Sequence, residues 1–164
     1  MKGKKLVFLL GALILPVAIF IFLKIFGRNE FRVPALHEAG MIEAPANCNF
    51  HYSVPYRVAD SVMVNLGLNR KDSLYVLYAD PGLKTAMKRI SVEFDGDPLS
   101  VISLSDLKDK MDLRILKECV LLMKPPSSVT LLDHHHRIRG YYEGTDRDEI
   151  DRLMVEIQII LNQY

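Results

Sequence analysis

The stretch Ser73–Phe94, SLYVLYADPGLKTAMKRISVEF, decides the fold class because two hydrophobic patterns meet in it. Its first part, Ser73–Ala79, is rich in aliphatic and aromatic side chains and has too few polar residues for an exposed face, which predicts a buried central strand. The turn residues Asp80–Gly82 end this strand. The apolar residues of Leu83–Phe94 then recur at helical spacing, so this part is a predicted helix.

Patterns of the same kind predict five more elements after this unit. They are a strand over Pro98–Leu104, a helix over Asp112–Met123, strands over Val129–Asp133 and Arg137–Tyr142, and a helix over Asp146–Asn162. The three-residue connection between the last two strands indicates a hairpin, and Thr145 is the predicted cap of the final helix. The order β-α-β-α-β-β-α, with a parallel strand–helix–strand unit and an antiparallel hairpin, is the thioredoxin-like order of the α/β class. The pattern leaves the type of an earlier apolar stretch, Asp60–Leu68, open.

The most apolar part of the chain lies at its amino-terminal end. Leu6–Leu23 has no charged residue, and a helix of this length would span about 27 Å, close to the hydrocarbon core of a bilayer. Neither a small-residue cleavage site nor a nearby cysteine for lipid attachment follows it. We therefore predict an uncleaved membrane anchor over residues 1–27, a proline-containing extended stalk over 28–55 and a domain over 56–164. The basic residues before the apolar run favour a cytoplasmic amino terminus, so the domain would face the periplasm from the inner membrane.

The charge balance excludes one class of partner. The chain has 21 basic and 20 acidic residues and a net charge of +1, whereas a phosphate-binding surface needs a clear basic excess. We therefore expect no nucleic-acid partner, and expect the membrane and an unidentified membrane protein complex instead. The sequence also lacks the P-loop, GxGxxG and HExxH motifs and any Ser-His-Asp spacing typical of hydrolases.

Asp80 is the only ionisable side chain at the junction between the first strand and its helix, where proteins of the thioredoxin-like order carry their working residues. A cysteine there would become a nucleophile or metal ligand, because the helix amino terminus lowers the pKa of its thiol. The junction LYVLYADPGLKTAM has neither cysteine nor histidine, which excludes thiol–disulfide exchange by the usual route. We interpret Asp80 as a turn or cap residue.

The cysteines and histidines are the remaining candidates for chemistry. Cys48 and Cys119 could form a disulfide in an oxidising compartment, but a separation of 71 residues does not establish one. Cys119 lies in an apolar helical pattern and is interpreted as a core residue, whereas Cys48, in a polar loop, is the more reactive candidate. The weak candidates for metal binding are the exposed run His134, His135 and His136, and the pair Cys48 and His51; His37 is interpreted as structural.

Four stretches, taken with the anchor, resemble the SCO/SenC family of membrane-anchored, thioredoxin-like copper proteins that help to assemble cytochrome oxidase. They are FGRNEF at 26–31, HYSVPYRVADS at 51–61, SLYVLYADPGLKTAM at 73–87 and VTLLDHHHRIRGYYEGTDRDEIDRLMVEI at 129–157. The last stretch is the most specific and is similar to versions from Bacteroidetes-type bacteria. The resemblance covers most of the chain, and it implies the fold, the anchor and a periplasmic location.

The chain departs from this family at the metal site. The resemblance implies copper ligands from two cysteines in a CxxxC motif and from one distant histidine. This chain has ADPGLKTAM at 79–87 in the CxxxC window, and KPPSSV at 124–129 where the histidine is expected. Since Cu(I) prefers thiolate or thioether ligands, the family's copper site is not carried over. We predict no catalytic residue, no cofactor-binding residue and no metal ligand.

Three hypotheses for function follow from the sequence. The first is a degenerate SCO-like module that binds or assembles partners in a respiratory or redox-linked membrane complex without catalysis. The second is a copper or other metal chaperone for oxidase assembly, whose site has moved to His134–His136 or to the region of Cys48 and His51. The third is an enzyme acting through Asp80 or Cys48, for which the sequence offers no base–nucleophile pair.

Overall fold

A computed structural model describes residues 2–26, 32–39, 45, 48, 50, 52–68, 73–107 and 111–162, with the side chains of residues 2–10 and Phe26 outside the description. The chain divides into two compact units, Met1–Arg32 and Val33–Tyr164. The described part of the first unit contains the helix α1 (Lys2–Phe26), which includes Pro16. Within the described residues, no helix is long and apolar enough to cross a membrane. The predicted span Leu6–Leu23 begins among residues whose side chains lie outside that description.

The second unit is built on a four-stranded mixed sheet. Its strands are β1 (Leu74–Tyr78), β2 (Leu99–Ser103), β3 (Val129–Leu132) and β4 (Ile138–Tyr142), in the spatial order β2-β1-β3-β4. Strands β1 and β2 are parallel, whereas β3 is antiparallel to both β1 and β4. The predicted α/β class is confirmed, as are the predicted parallel pair and the hairpin.

The helices of the second unit are α2 (Asp60–Leu66), α3 (Lys84–Glu93), a π-helical turn (Ile115–Val120) and α4 (Arg147–Leu161). Two of them differ from the predictions. The stretch Asp60–Leu68, whose type the sequence pattern left open, contains the helix α2. The helix predicted over Asp112–Met123 is mainly a π-helical turn. The predicted cap Thr145 is wrong, because α4 starts one residue later. The carboxylate of Asp146 accepts the backbone N–H of Asp148 and caps α4.

The sheet is buried on both faces because its central strands carry apolar side chains in both directions. On β1, Tyr75 and Leu77 point to one face, and Leu74, Val76 and Tyr78 point to the other. The first face packs against α2 and the π-helical turn, through residues that include Met63, Leu66, Leu116 and Val120. The second face packs against α3 and α4, through residues that include Met87, Ile90, Leu153 and Ile157.

Part of the segment predicted as a stalk packs on this unit. Val33 and Ala35 are buried, and the backbone N–H of Leu36 donates to the carbonyl of Ile138 on β4. The backbone N–H of Tyr56 in turn donates to the carbonyl of His37. Residues 33–37 therefore lie beside the β4 edge of the sheet and belong to the compact unit.

Candidate functional site

The junction between β1 and α3 carries no group arranged for chemistry. Asp80 is exposed, and its Oδ1 accepts the backbone N–H of Gly82 at 2.8 Å. This bond caps the short 3-10 turn Pro81–Leu83 that leads into α3. The interpretation of Asp80 as a cap residue is confirmed, and the carboxylate is committed to the backbone.

The two cysteines form a disulfide. Cys48 and Cys119 are bonded, with their Cα atoms 5.4 Å apart. Cys119 is buried in the core as predicted. The interpretation of Cys48 as the more reactive candidate is wrong, because its sulfur is bonded to Cys119. Nearby in the chain, the hydroxyl of Tyr52 binds the carbonyl of Cys119. His51, the other half of the predicted Cys-x-x-His pair, lies outside the described residues.

Three tyrosine hydroxyls bind consecutive carbonyls at the end of the π-helical turn, next to the disulfide. Tyr52 donates to the carbonyl of Cys119 at 2.9 Å, Tyr56 to that of Val120 at 2.6 Å and Tyr141 to that of Leu121 at 2.8 Å. Carbonyls at the end of a helix have no partner within it, so side-chain donors must satisfy them when water is excluded. We call Tyr52, Tyr56 and Tyr141 the tyrosine row.

The tyrosine row is a set of neutral donors rather than of bases. Burial raises the pKa of both Tyr56 and Tyr141 well above the ordinary tyrosine value, and a neighbouring tyrosine adds to each shift. His37 lies 3.2 Å from the Tyr141 hydroxyl through Nε2. Burial, followed by the charge of Lys124, lowers the pKa of His37, which favours the neutral imidazole. Since the Tyr141 hydroxyl gives its proton to Leu121, it accepts the Nε2–H of His37.

Removing a hydroxyl from the tyrosine row is expected to lower the free energy of unfolding, and the loss should be larger for the more buried tyrosine. Tyr56→Phe leaves the carbonyl of Val120 without its donor in the core, for a loss of about 1–3 kcal/mol. Tyr52→Phe is the matched control, because Tyr52 is only half-buried; its loss should be about 0.5–1 kcal/mol. Urea unfolding measures both, and equal losses would contradict the role assigned to Tyr56.

The β3–β4 hairpin contains a buried ionic network that was not predicted from the sequence. Asp133 is fully buried at the end of β3. Its Oδ1 accepts the backbone N–H groups of His135 at 2.8 Å and Arg137 at 2.9 Å. Its Oδ2 accepts Nε of Arg137 at 2.9 Å and Nε of Arg139 at 2.8 Å. Arg139 also donates through Nη1 to the carbonyl of Val33. One carboxylate thus joins the turn, β4 and the segment beside β4.

The charge state of Asp133 follows from this network. Burial by itself raises the pKa of the carboxyl, but the Arg137 N–H, the hydrogen bond from Arg139 and the charges of both guanidinium groups outweigh burial and lower it. Asp133 is therefore ionised at neutral pH. The sequence signal was an acidic residue after the apolar run VTLL, with Arg139 inside the next strand between apolar neighbours.

The imidazoles of the hairpin turn do not converge on one point. His136, with φ 61°, places Nδ1 3.0 Å from Oδ1 of Asp60 at the start of α2. The rings of His134 and His135 pack against each other, with centroids 3.9 Å apart. Among the residues that the structure describes, no group of three or more histidine, cysteine or acidic side chains is placed to hold a metal ion.

Cavities in the described part of the second unit include a cleft and a smaller pocket. A cleft of about 590 Å³ between α3 and α4 is crossed by the ion pair of Arg89 and Asp151, at 3.6 Å. A smaller pocket of about 230 Å³ lies between the tyrosine row and α2.

Comparison with known proteins identifies no family for this chain. No family model, no curated protein and no solved structure matches it.

Proposed function

We propose that this chain is a degenerate SCO/SenC-like protein that serves as a non-catalytic binding or assembly module, linked to respiratory or redox complexes. The observation that carries the proposal is the β1–α3 junction, where Asp80 is committed to a backbone N–H and no thiol or imidazole is present. A scaffold that lacks a nucleophile and a soft metal ligand at this point is suited to binding rather than to thiol or copper chemistry.

The strand arrangement supports a thioredoxin-like scaffold. Parallel strands β1 and β2 are joined through α3, and the β3–β4 hairpin is followed by α4. The parallel β1–β2 pair and the antiparallel β3–β4 hairpin agree with the pairings inferred from the sequence patterns. The proposal of a SCO-like relationship rests on this agreement together with the four stretches of sequence resemblance.

A periplasmic location on the inner membrane is part of the proposal. The Cys48–Cys119 disulfide supports it, because disulfides persist mainly in oxidising compartments outside the cytoplasm. Attachment through Leu6–Leu23 rests on the uncharged sequence alone. Fusion of alkaline phosphatase to the carboxyl terminus tests the location. High phosphatase activity in the membrane fraction is the expected result, and a fusion inactive in cells that export the enzyme normally would contradict it.

Complementation separates the scaffold hypothesis from the metal and enzyme hypotheses. In a deletion strain of the source organism, oxidase activity should fall, and wild type should restore it. A variant with His134, His135 and His136 changed to alanine should restore it equally, as should Asp80→Ala. Failure of the histidine variant, if it is folded, would favour the chaperone with a relocated site; failure of a folded Asp80→Ala would favour the enzyme.

Metal titration of the purified full-length chain tests the relocated metal site directly. We expect Cu(I), Cu(II) and Zn(II) to bind no more tightly to the wild-type protein than to the histidine variant, since the three imidazoles do not share one point. Near-stoichiometric binding that the variant loses would overturn the scaffold hypothesis and support the relocated site.

A further inference from the structure

The two outer strands of the sheet differ in how their free sides are covered. The segment 33–37 covers β4, because the backbone N–H of Leu36 donates to the carbonyl of Ile138 at 2.7 Å. No strand in the described part of the chain pairs with the outer side of β2. Four of the five residues of β2 are half-buried, whereas every residue of β1 and β3 is buried. We call this open side of β2 the β2 edge.

The register of the parallel pair decides which backbone groups lie at the β2 edge. Leu74 on β1 pairs with Leu99 on β2, and its N–H donates to the carbonyl of Pro98. Such bonds recur at every second residue, so the even-numbered residues of β2 bind β1 and the odd-numbered residues turn their N–H and C=O groups outward. The N–H of Leu99 is used by the carbonyl of Asp97. The C=O of Leu99 and both groups of Val101 are therefore available to a further strand.

The middle of β2 has none of the features that usually prevent an exposed edge from pairing. Proteins blunt such edges with charged side chains, an interior proline or a β-bulge. The strand LSVIS at 99–103 is uncharged and free of proline, and its register with β1 is regular. Leu99 and Val101 pack on the face of α3 and α4, and Ile102 packs on the opposite face. The β2 edge is thus suited to an extended, uncharged segment.

The two ends of the β2 edge are acidic, and this narrows the occupant. Asp95 and Asp97 precede the strand and Asp106 follows it; all three are exposed, and no ion pair joins them to a described basic residue. In an antiparallel pair of two copies centred on Val101, Asp97 of each copy would face position 105 of the other, next to Asp106. In a parallel pair, the same carboxylates would lie side by side. Like charges placed in this way oppose pairing, so the charges disfavour a second copy and favour a segment with basic ends.

We propose that the β2 edge binds an extended segment of a partner polypeptide, whose uncharged centre matches the five residues of β2 and whose two ends carry lysine or arginine. Main-chain hydrogen bonds to Leu99 and Val101 provide the affinity, and the acidic ends select the partner. The inference deepens the proposed function, on which it rests, by naming the kind of segment that the module binds.

The test is an NMR titration of the full-length chain with two capped peptides. Both have the same centre of alternating valine and threonine; one is flanked by lysines at each end and the other by glutamates. We expect saturable binding of the lysine peptide, with slower hydrogen exchange at the N–H of Val101. The glutamate peptide should bind at least about tenfold more weakly, because its ends repel the acidic residues. Added salt should reduce this difference.

A pair of variants at one position tests whether the β2 edge is the binding site. Val101→Pro removes the outward N–H but no bond to β1, since proline is tolerated in an edge strand where the N–H faces away from the sheet. This variant should lose binding of the lysine peptide. Val101→Thr is the matched control, because it keeps the N–H and the branched shape, and it should bind as wild type does.

A second variant tests the role of charge without touching the strand. Replacing Asp95, Asp97 and Asp106 together with lysine changes only exposed side chains, so this variant tests the inference even if Val101→Pro does not fold. Its preference should be reversed, with the glutamate peptide bound more tightly than the lysine peptide. An unchanged preference would overturn the assignment of the acidic ends as the selecting groups.

Other outcomes would also overturn the inference. They are absence of binding by the lysine peptide, equal binding of the two peptides, and unchanged binding by folded Val101→Pro. Sedimentation that shows dimers of wild type but not of Val101→Pro would overturn it in favour of a second copy as the occupant. All of these experiments use purified protein, so their failure leaves the complementation results unaffected. Failure of the wild-type gene to restore oxidase activity would instead reject the module itself.

Discussion

Replacing Asp133 with alanine is expected to lower the free energy of unfolding by about 3–5 kcal/mol, the usual loss when one partner of a buried ion pair is removed. Asp133 is fully buried and accepts hydrogen bonds from the side chains of Arg137 and Arg139. Without it, the buried guanidinium of Arg139 keeps its charge but loses the carboxylate that accepts its Nε. Urea unfolding at neutral pH measures the loss.

Asp80→Ala is the matched control for this prediction. Asp80 also accepts a backbone N–H, but it is exposed and caps only a short turn. Its removal should therefore lower the unfolding free energy by about 1 kcal/mol or less. Losses of the same size in Asp133→Ala and Asp80→Ala would contradict the importance of the buried network.

The contribution of Asp133 depends on pH in a defined direction. Its folded-state pKa lies below the value of 3.8 expected for the unfolded chain. The stabilisation is therefore complete above the unfolded pKa and is lost as the pH falls through the folded-state pKa. The difference in unfolding free energy between wild type and Asp133→Ala should be constant near neutral pH and should shrink in acid. A difference that stays constant down to acid pH would show that ionisation of Asp133 does not contribute.

A double replacement separates charge from packing in the same network. Asp133→Leu combined with Arg139→Met removes the two buried charges of the network, leaves the partly exposed Arg137, and fills the space with apolar groups, which is often neutral or stabilising for a buried pair. The double variant should be more stable than Asp133→Leu alone. Strictly additive losses would contradict the interpretation that the interaction between Asp133 and Arg139 dominates the cost.

Removing the Cys48–Cys119 disulfide is expected to destabilise the domain by about 4 kcal/mol, because it closes a loop of 71 residues and so restricts the unfolded chain. For a domain of this size the melting temperature should fall by roughly 10–20 °C. Thermal unfolding of Cys48→Ser/Cys119→Ala, compared with wild type, measures the effect. Alanine is used at the second position because Cys119 is buried and a serine hydroxyl would add its own penalty.

Reduction of the wild-type protein checks the same prediction without mutation. The chain has only two cysteines, so a thiol reductant acts on this bond alone. Reduced wild type and the double variant should unfold at similar temperatures. An unchanged melting temperature after complete reduction would contradict the predicted stabilisation and would leave the tyrosine row as the main tie between these segments.

Local patterns were sufficient for the strand–turn–helix unit and the hairpin. Each of these patterns depends on neighbours a few residues away: the run SLYVLYA, the turn at Asp80–Gly82 and the helical spacing after it.

The errors in predicting the last two helices were also local in origin. Thr145 and Asp146 are both good caps, and the choice depends on where the first helical dihedral falls. The hydrogen bonds of a π-helical turn span one residue more than those of an α-helix, and a hydrophobic pattern does not resolve this difference.

By itself the sequence determined the order of the four strands, the α/β class and the absence of a thiol or imidazole at the β1–α3 junction, because composition and short-range periodicity decide these. The tertiary structure alone decided the disulfide, the tyrosine row, the Asp133 network and the pocket. These features join residues separated by 71 positions for the cysteines, 64 for Tyr56 and Val120, and 106 for Arg139 and Val33. Such contacts depend on how the helices and loops pack on the sheet. The hydrophobic periodicity of the sequence does not determine that packing.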